Sequence, residues 1–396
     1  VRVAAIYADT PVMDLKSWPG GKGKGPGSAD IWKIALMRYG FASEAEALAY
    51  KGNPLDILPV IARAKIPLRH CISLDDQLVP AEENTLEAAR RLKKLRRTME
   101  LVTLEHGTKE SQGHHFFPVP EAFATGEFIR RYGWTPPGGR EFFTLRDGLG
   151  RVAAKLTQGG ECRVAFVGGS ITASEGWRTE LERWLGLRFP KAKFTFVRAG
   201  IPSLGSVPNS FRFAETVLGA TPPDLLFIEA AVNDPTNFTE PARMVRGVEG
   251  MVRQARLAKP DMGIVLMHFA MPEHLASWRA GKRPEVVTQH EKVAARYGLP
   301  SLDLTQEVAE RIAAGELSWE KDFVDLHPSR FGHQLYAASI VRMLDAALEK
   351  PIRSRSLPAM IDKGSYATAK RLSPSTAGNL NGFRLESSWR PTDGKD

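Results

Sequence analysis

Cysteine is scarce in this chain: two residues among 396, Cys71 and Cys162, each set in or beside an apolar run. Nothing in that count suggests a disulfide framework, and both read as small buried hydrophobes. No window approaches eighteen uncharged apolar residues, so no membrane-spanning helix is expected. A charged leader followed by an apolar segment and a small-residue cleavage site is missing too. The chain opens, without Met, on Val1-Arg2-Val3-Ala4-Ala5-Ile6-Tyr7. That stretch reads as a core strand and suits a fragment, a processed product or an alternative start. There is no internal repeat and no long low-complexity tract.

What is present is ordinary globular material. The hydrophobic share is 43%, enough for a sizeable core, and 396 residues predict two to three units. The formal net charge of +9 favours acidic partners such as anionic polysaccharide or nucleic acid. The densest basic run, Arg90-Arg91-Leu92-Lys93-Lys94-Leu95-Arg96-Arg97, carries a helical stripe at Leu86, Ala89, Leu92 and Leu95. It predicts an amphipathic helix with a solvated basic face. No nucleic-acid-binding motif accompanies it, so no nucleic-acid partner is expected. Gly21-Lys22-Gly23-Lys24-Gly25 lacks the spacing and the Lys-Ser/Thr ending of a phosphate loop and reads as surface loop.

Residues 1–133 form a first unit. Strands are predicted at Val3–Ala8, Ile66–Ile72 and Met99–Leu104, and helices at Ala29–Tyr39, Ala42–Ala49, from Pro54, at Glu82–Arg97 and at Pro118–Tyr132. Residues 134–142, with Trp134-Thr135-Pro136-Pro137-Gly138-Gly139-Arg140, have the content of a linker. Residues 143–350 alternate strictly. Strands are predicted at Arg163–Val167, Lys193–Arg198, Leu225–Glu229, Ile264–His268 and Pro300–Leu302. Helices are predicted at Arg146–Thr157, Trp177–Leu187, Phe211–Leu218, Ala242–Ala258, Pro284–Tyr297, Leu304–Ala314 and Phe331–Glu349. That alternation means an α/β fold with a parallel sheet covered on both faces. Residues 351–396 lose the helical period, and Gly382-Phe383-Arg384-Leu385 suggests a β-rich extension.

Chemistry gathers at the predicted carboxyl ends of the strands. Val164-Ala165-Phe166-Val167 runs into Gly168-Gly169-Ser170-Ile171-Thr172, where two glycines permit a tight turn before a serine. The next strand runs into Gly200-Ile201-Pro202-Ser203-Leu204-Gly205-Ser206, the third into Val232-Asn233-Asp234, and Asp325-Leu326-His327-Pro328 opens the last helix. A serine, backbone N–H groups, a side-chain amide and a histidine beside an aspartate are the parts of acyl-transfer chemistry. Other polar residues have plainer readings. His268 reads as a satisfied core or rim histidine, His333 as a packing or capping residue of its helix, and Asp234 as a brace of its loop. Trp177, Trp184 and Trp278 read as core or pocket wall, and Arg212 as pocket lining or ion pair. His114 and His115 are expected to point apart on extended chain, leaving no metal site.

These four motifs, in this order, resemble the SGNH (GDSL-like) hydrolase superfamily, in its Gly-Gly-Ser-Ile-Thr subgroup, over about residues 143–350. Gly169 stands where the name-giving pattern has Asp. The resemblance implies a three-layer α/β/α, flavodoxin-like domain. It implies Ser170 as nucleophile, His327 as base, and Ser170, Gly205 and Asn233 as oxyanion donors, with Gly200 the alternative to Gly205. The family places its acid three residues before the histidine, where this chain has Val324. Asp325 is the expected acid and Asp322 the alternative. Residues 1–133 resemble the C-terminal half of an α/β-hydrolase, on Asp76-Gln77-Leu78-Val79-Pro80 and Gly113-His114. Asp76 and His114 match that family's acid and base, and its G-x-S-x-G elbow is absent, so this unit is expected to be a scaffold or remnant. The implied activity is a serine esterase for short acyl esters, O-acetyl groups on saccharides among them, with no cofactor and no metal. Thioesterase or lysophospholipase activity on the same fold, or a non-catalytic carbohydrate-binding protein, are the alternatives.

Overall fold

The computed structural model describes residues 3–116, 122–133, 136–353 and 356–372, and the chain divides into two compact units, Val1–Thr135 and Pro136–Asp396. The stretch Gly382-Phe383-Arg384-Leu385, the residues Trp134 and Thr135, and the predicted helix start at Pro118 lie outside the described residues.

The first unit contains β1 (Ile6–Asp9), α1 (Ala29–Tyr39), α2 (Glu44–Ala49), α3 (Pro54–Arg63), β2 (Leu68–Ser73), α4 (Thr85–Lys94), β3 (Glu100–Leu104) and α5 (Ala122–Gly133). Its three strands pair in parallel in the order β1-β2-β3. The central strand β2 is buried along its length, as a strand covered on both faces must be. Leu55, Leu58, Leu68, Ala88 and Leu92 pack into one cluster beneath α3 and α4. The buried line of α4 runs through Thr85, Ala88 and Leu92, not through Leu86 and Ala89, and Leu95 lies past its end and is exposed. The basic residues stay at the surface, where Arg90 and Arg91 both pair with Glu87.

The second unit contains β4 (Phe143–Thr144), α6 (Gly150–Gln158), β5 (Gly160–Gly168), α7 (Ser170–Ala173), α8 (Trp177–Arg188), β6 (Ala192–Gly200), α9 (Ser206–Phe213), β7 (Leu225–Glu229), α10 (Asn233–Thr236), α11 (Pro241–Ala258), β8 (Gly263–His268), α12 (Pro272–Arg279), α13 (Glu285–Tyr297), β9 (Ser301–Asp303), α14 (Leu304–Ala313) and α15 (Arg330–Leu348). The sheet order is β4-β9-β8-β7-β5-β6, parallel except for β4, a two-residue antiparallel edge strand. Helices that pack against it bury Val248, Met251, Val252, Val293 and Ala294 with sheet residues Ala165, Val167, Leu226, Ile228, Ile264 and Leu266.

Two features of this sheet position the chemistry. First, β5 pairs with β6 on one side and β7 on the other. The connection out of β6 therefore crosses back over β5. The carboxyl end of β5 is a topological switch point, where diverging connections open a crevice at the sheet edge. Second, Gly200 ends β6 opposite Gly168. A Cβ on Gly200 would lie 2.4 Å from the backbone nitrogen of Ala173. Glycine there lets the turn of α7 lie directly on the end of β6.

Candidate functional site

Ser170 opens α7 immediately after β5, with Gly169 as its N-cap. As the first helical residue its N–H has no acceptor within the helix. Its Oγ lies 2.8 Å from Nε2 of His327. His327 comes from the segment between the turn Trp319–Phe323 and α15. Val324 ends that turn at φ +77 and is exposed. A β-branched residue in this region carries strain of about 1–3 kcal/mol, a cost found mostly where function fixes the backbone. The strained residue is the one standing where the resembling family keeps its acid.

Asp325 reaches the imidazole from the next position. Its Oδ1 lies 3.7 Å from Nδ1 of His327 and accepts the His327 backbone N–H at 2.5 Å. This is ion-pair range with the ring, and a hydrogen bond with the main chain. The side chains of His327 and Asp325 are 57% and 65% exposed, so water screens their attraction. Asp322 is committed elsewhere: its Oδ2 accepts the Ser318 N–H at 2.7 Å and its carbonyl accepts from the Ser329 hydroxyl. No contact joins it to His327 among the described residues.

The donor side is built from β6 and β7. Gly205 caps α9, so its N–H has no acceptor within its helix. Asn233 opens α10. Its Oδ1 occupies the space beside Gly169, where a Cβ would come within 1.8 Å. The aspartate of the name-giving pattern would not fit here without moving Asn233. With Oδ1 on that side, Nδ2 is the polar atom left to donate. A Cβ on Gly205 would lie 3.3 Å from the Asn233 carbonyl carbon. Gly169, Asn233 and Gly205 are therefore contiguous, and Ser170 with His327 adjoins them. Gly200 is not part of this edge, because α7 covers it.

Surrounding groups hold these elements. Arg178 donates to the Thr172 carbonyl at 3.2 Å and to Glu182 at 2.7 Å, and Arg198 donates to Glu182 at 2.6 Å. Burial pushes the Glu182 carboxyl up, but the two arginines outweigh it and hold it below its ordinary range. The i,i+4 spacing of Arg178 and Glu182 was a readable signal of this clamp. His333 accepts the Trp177 N–H at 3.2 Å, so it caps α8 rather than its own helix. Trp177 and Trp184 are fully buried, and Trp278 donates to Thr305 at 2.7 Å. Arg212 makes no ion pair among its described contacts. It donates to Asn209, to Thr216 and to the Ala199 carbonyl, tying α9 to the end of β6.

Two buried titratable groups lie at neighbouring strand ends. Glu229 closes β7, and burial pushes its carboxyl up to about 8. His268 closes β8, and burial pushes its imidazole down to about 4. His268 is not satisfied as expected: neither ring nitrogen is hydrogen-bonded, and its described polar neighbour is Glu291 at 4.0 Å. A neutral ring is the form that such a site tolerates.

In the first unit Asp76 and His114 also meet. His114 Nδ1 lies 2.8 Å from Asp76 Oδ2, and Asp76 Oδ1 accepts the Leu78 and Val79 N–H groups. The His114 and His115 rings do not point apart: a bend brings their centroids to 4.0 Å. His115 Nδ1 lies 3.2 Å from Thr10 Oγ1 and 3.5 Å from Asp9. Among the described residues no group of three His, Cys, Asp or Glu is arranged to hold a metal, and no helix is long and apolar enough to cross a membrane. Cys71 and Cys162 are both buried, and neither forms a disulfide among the described residues.

Residues 166–335 match the profile of the GDSL-like Lipase/Acylhydrolase family. This stretch is a GDSL-like acylhydrolase domain. It begins inside β5 and ends inside α15, so it contains Ser170, Gly205, Asn233 and His327. No curated protein matches the chain. Among solved structures, a two-domain esterase active on acetylated mannans, crystallised with mannopentaose, is 26% identical with a TM-score of 0.48, over 57% of this chain and 62% of its own. The acetylxylan esterase Axe2 of Geobacillus stearothermophilus is 20% identical with a TM-score of 0.34, over 48% of this chain and 96% of its own. A family 3 carbohydrate esterase of Clostridium thermocellum is 18% identical with a TM-score of 0.36, over 47% and 99%. The chain thus spans under two thirds of the mannan esterase's length. The GDSL-like domain presents its serine at the surface. A cavity of about 380 Å³, lined by Leu149, Arg256, Met262 and Leu357, lies at the opposite edge, where β8 begins.

Proposed function

We propose that the GDSL-like domain is a serine esterase in which Ser170 attacks an ester carbonyl while His327 takes its proton. The Ser170 and Gly205 N–H groups and Asn233 Nδ2 receive the developing oxyanion, and water then releases the acyl group with His327 again as base. Asp325 orients the ring and stabilises its protonated form. The observation that carries this reading is the 2.8 Å contact between Ser170 Oγ and His327 Nε2. A serine hydroxyl is a weak nucleophile until a base lies within hydrogen-bond reach.

The acyl group taken is short. Burying each CH₂ of an acyl chain is worth about 0.8 kcal/mol, and a histidine and aspartate more than half exposed form an open rim that supplies little of it. The alcohol side is a saccharide carrying O-acetyl groups. An open polar mouth suits such a substrate, and Phe238, five residues past Asn233 and 93% exposed, offers an aromatic face nearby. The test is turnover of p-nitrophenyl acetate, butyrate and octanoate by wild type and Ser170→Ala. Hydrolysis should fall with chain length and vanish in the variant, with acetate released from acetylated mannan or xylan. Equal rates in wild type and Ser170→Ala would remove Ser170 from the reaction.

A further inference from the structure

Asp234 lies beside Asn233 and is wholly buried. Its main chain is fixed at both ends, the N–H donating to Ala230 at 3.0 Å and the carbonyl accepting from Thr239 at 2.9 Å. Its Oδ1 accepts the Ser206 N–H at 2.7 Å and fills the space beside Gly205, where a Cβ would come within 2.4 Å. Its Oδ2 lies 2.9 Å from Nε2 of His290, a buried residue of α13. One carboxylate therefore touches both halves of the donor side: it is bonded in sequence to Asn233 and through space to the turn that carries Gly205.

The geometry points to His290 as a positioning residue for the oxyanion donors, acting through Asp234; this rests on the esterase reading of Ser170. A buried carboxylate held at one oxygen alone is free to swing about its terminal torsion, and its second oxygen goes unsatisfied at a cost. The imidazole N–H from α13 removes both faults. With each oxygen held, the carboxylate plane is fixed, and with it the spacing between the Gly205 turn and α10. Oxyanion donors act only within a narrow range of the developing charge, and a misplacement of about 1 Å costs on the order of 10²-fold in rate. His290 touches no reacting atom. Its contribution is geometric, so it should be felt in the transition state more than in substrate binding.

The test uses the full chain, with His290→Leu, which removes the donor, and His290→Gln, which keeps an N–H. On p-nitrophenyl acetate, His290→Leu should lower kcat about 10- to 100-fold with KM within about twofold, and Gln should recover most of the loss. A folded Leu variant with kcat within about twofold of wild type would overturn the assignment, and so would equal losses in Leu and Gln. Ser170→Ala is run alongside. Should it match wild type, the esterase reading fails by itself, and His290 is then judged on hydrogen exchange of the Ser206 amide. Exchange at least about tenfold faster in His290→Leu supports the brace, and unchanged exchange overturns it.

Discussion

Each unit of this chain holds a histidine–aspartate pair that matches a hydrolase acid and base, and these two pairs are made differently. In the first unit His114 meets Asp76 at 2.8 Å, and the carboxylate is buried and further held by two backbone N–H groups. In the second unit Asp325 stands 3.7 Å from the His327 ring, and both side chains face solvent. By the quality of the acid–imidazole contact the first pair is the better one. Yet only the second has a serine hydroxyl on its other nitrogen among the described residues. A well-held imidazole with no hydroxyl to deprotonate performs no acyl transfer. On the proposed reading, the third partner marks the reactive place, and the acid contributes orientation more than reactivity.

Breaking the two pairs in parallel gives the largest contrast. His327→Ala should lower kcat on a short ester by about 10⁴-fold or more, as removal of a base acting together with its nucleophile does. His114→Ala should leave kcat within about twofold. Steady-state kinetics on both variants checks this, and a comparable loss in His114→Ala would move the chemistry toward the first unit.

A smaller effect separates the candidate acids. Asp325→Ala should cost about 10- to 100-fold in kcat, less than the roughly 10⁴-fold typical of a buried triad acid, because the 3.7 Å contact is exposed and screened. Asp322→Ala should leave kcat within about twofold and lower stability by about 1 kcal/mol, through loss of its bond to the Ser318 N–H. Comparing kcat and urea midpoints for the two variants decides between them. The reverse pattern would make Asp322 the acid.

These residues also show what the sequence carried. Strands β7 and β8, and β5 from Val164 on, are runs of mostly apolar residues buried on both faces, and the predicted bounds of all three fall within three residues of the observed ones. The candidate residues Ser170, Gly205, Asn233 and His327 stand out through the family resemblance of four motifs, each of which follows a strand or precedes a helix, where the chain must turn. Helix α12 does not stand out, since its eight residues bury only His274 and Leu275 and show no apolar period. The two-residue strand β4 was too short to alternate. The apolar pattern of α4 shares only Leu92 with its buried line, because buried Thr85 counts as polar in such a pattern. The Asp234–His290 contact joins residues 56 apart, and nothing local announces it. Asn233 against Gly169 was equally hidden, although it explains the glycine where the pattern has aspartate.

The smallest expected effect concerns stability and pH. Glu229 has a carboxyl pushed up to about 8 by burial, against an ordinary value near 4.5. The folded state therefore holds this proton more tightly than the unfolded chain. Its contribution is fully present below about 4.5 and is lost as pH rises through about 8. His268, pushed down to about 4, acts oppositely: its contribution is present above about 6.5 and is lost as pH falls through 4. Glu229→Gln should flatten the decline of the urea midpoint between pH 5 and 8 and leave the acid limb unchanged. An unaltered decline would mean that other groups set it.

The central claim is that Ser170, activated by His327, is the nucleophile. Covalent labelling of the full chain with an alkyl fluorophosphonate, followed by mass spectrometry of the peptides, tests it most directly. The account predicts one adduct, on Ser170, absent in Ser170→Ala, strongly reduced in His327→Ala and intact in His114→Ala. An adduct on another residue, or labelling of Ser170 that is indifferent to His327, would contradict it.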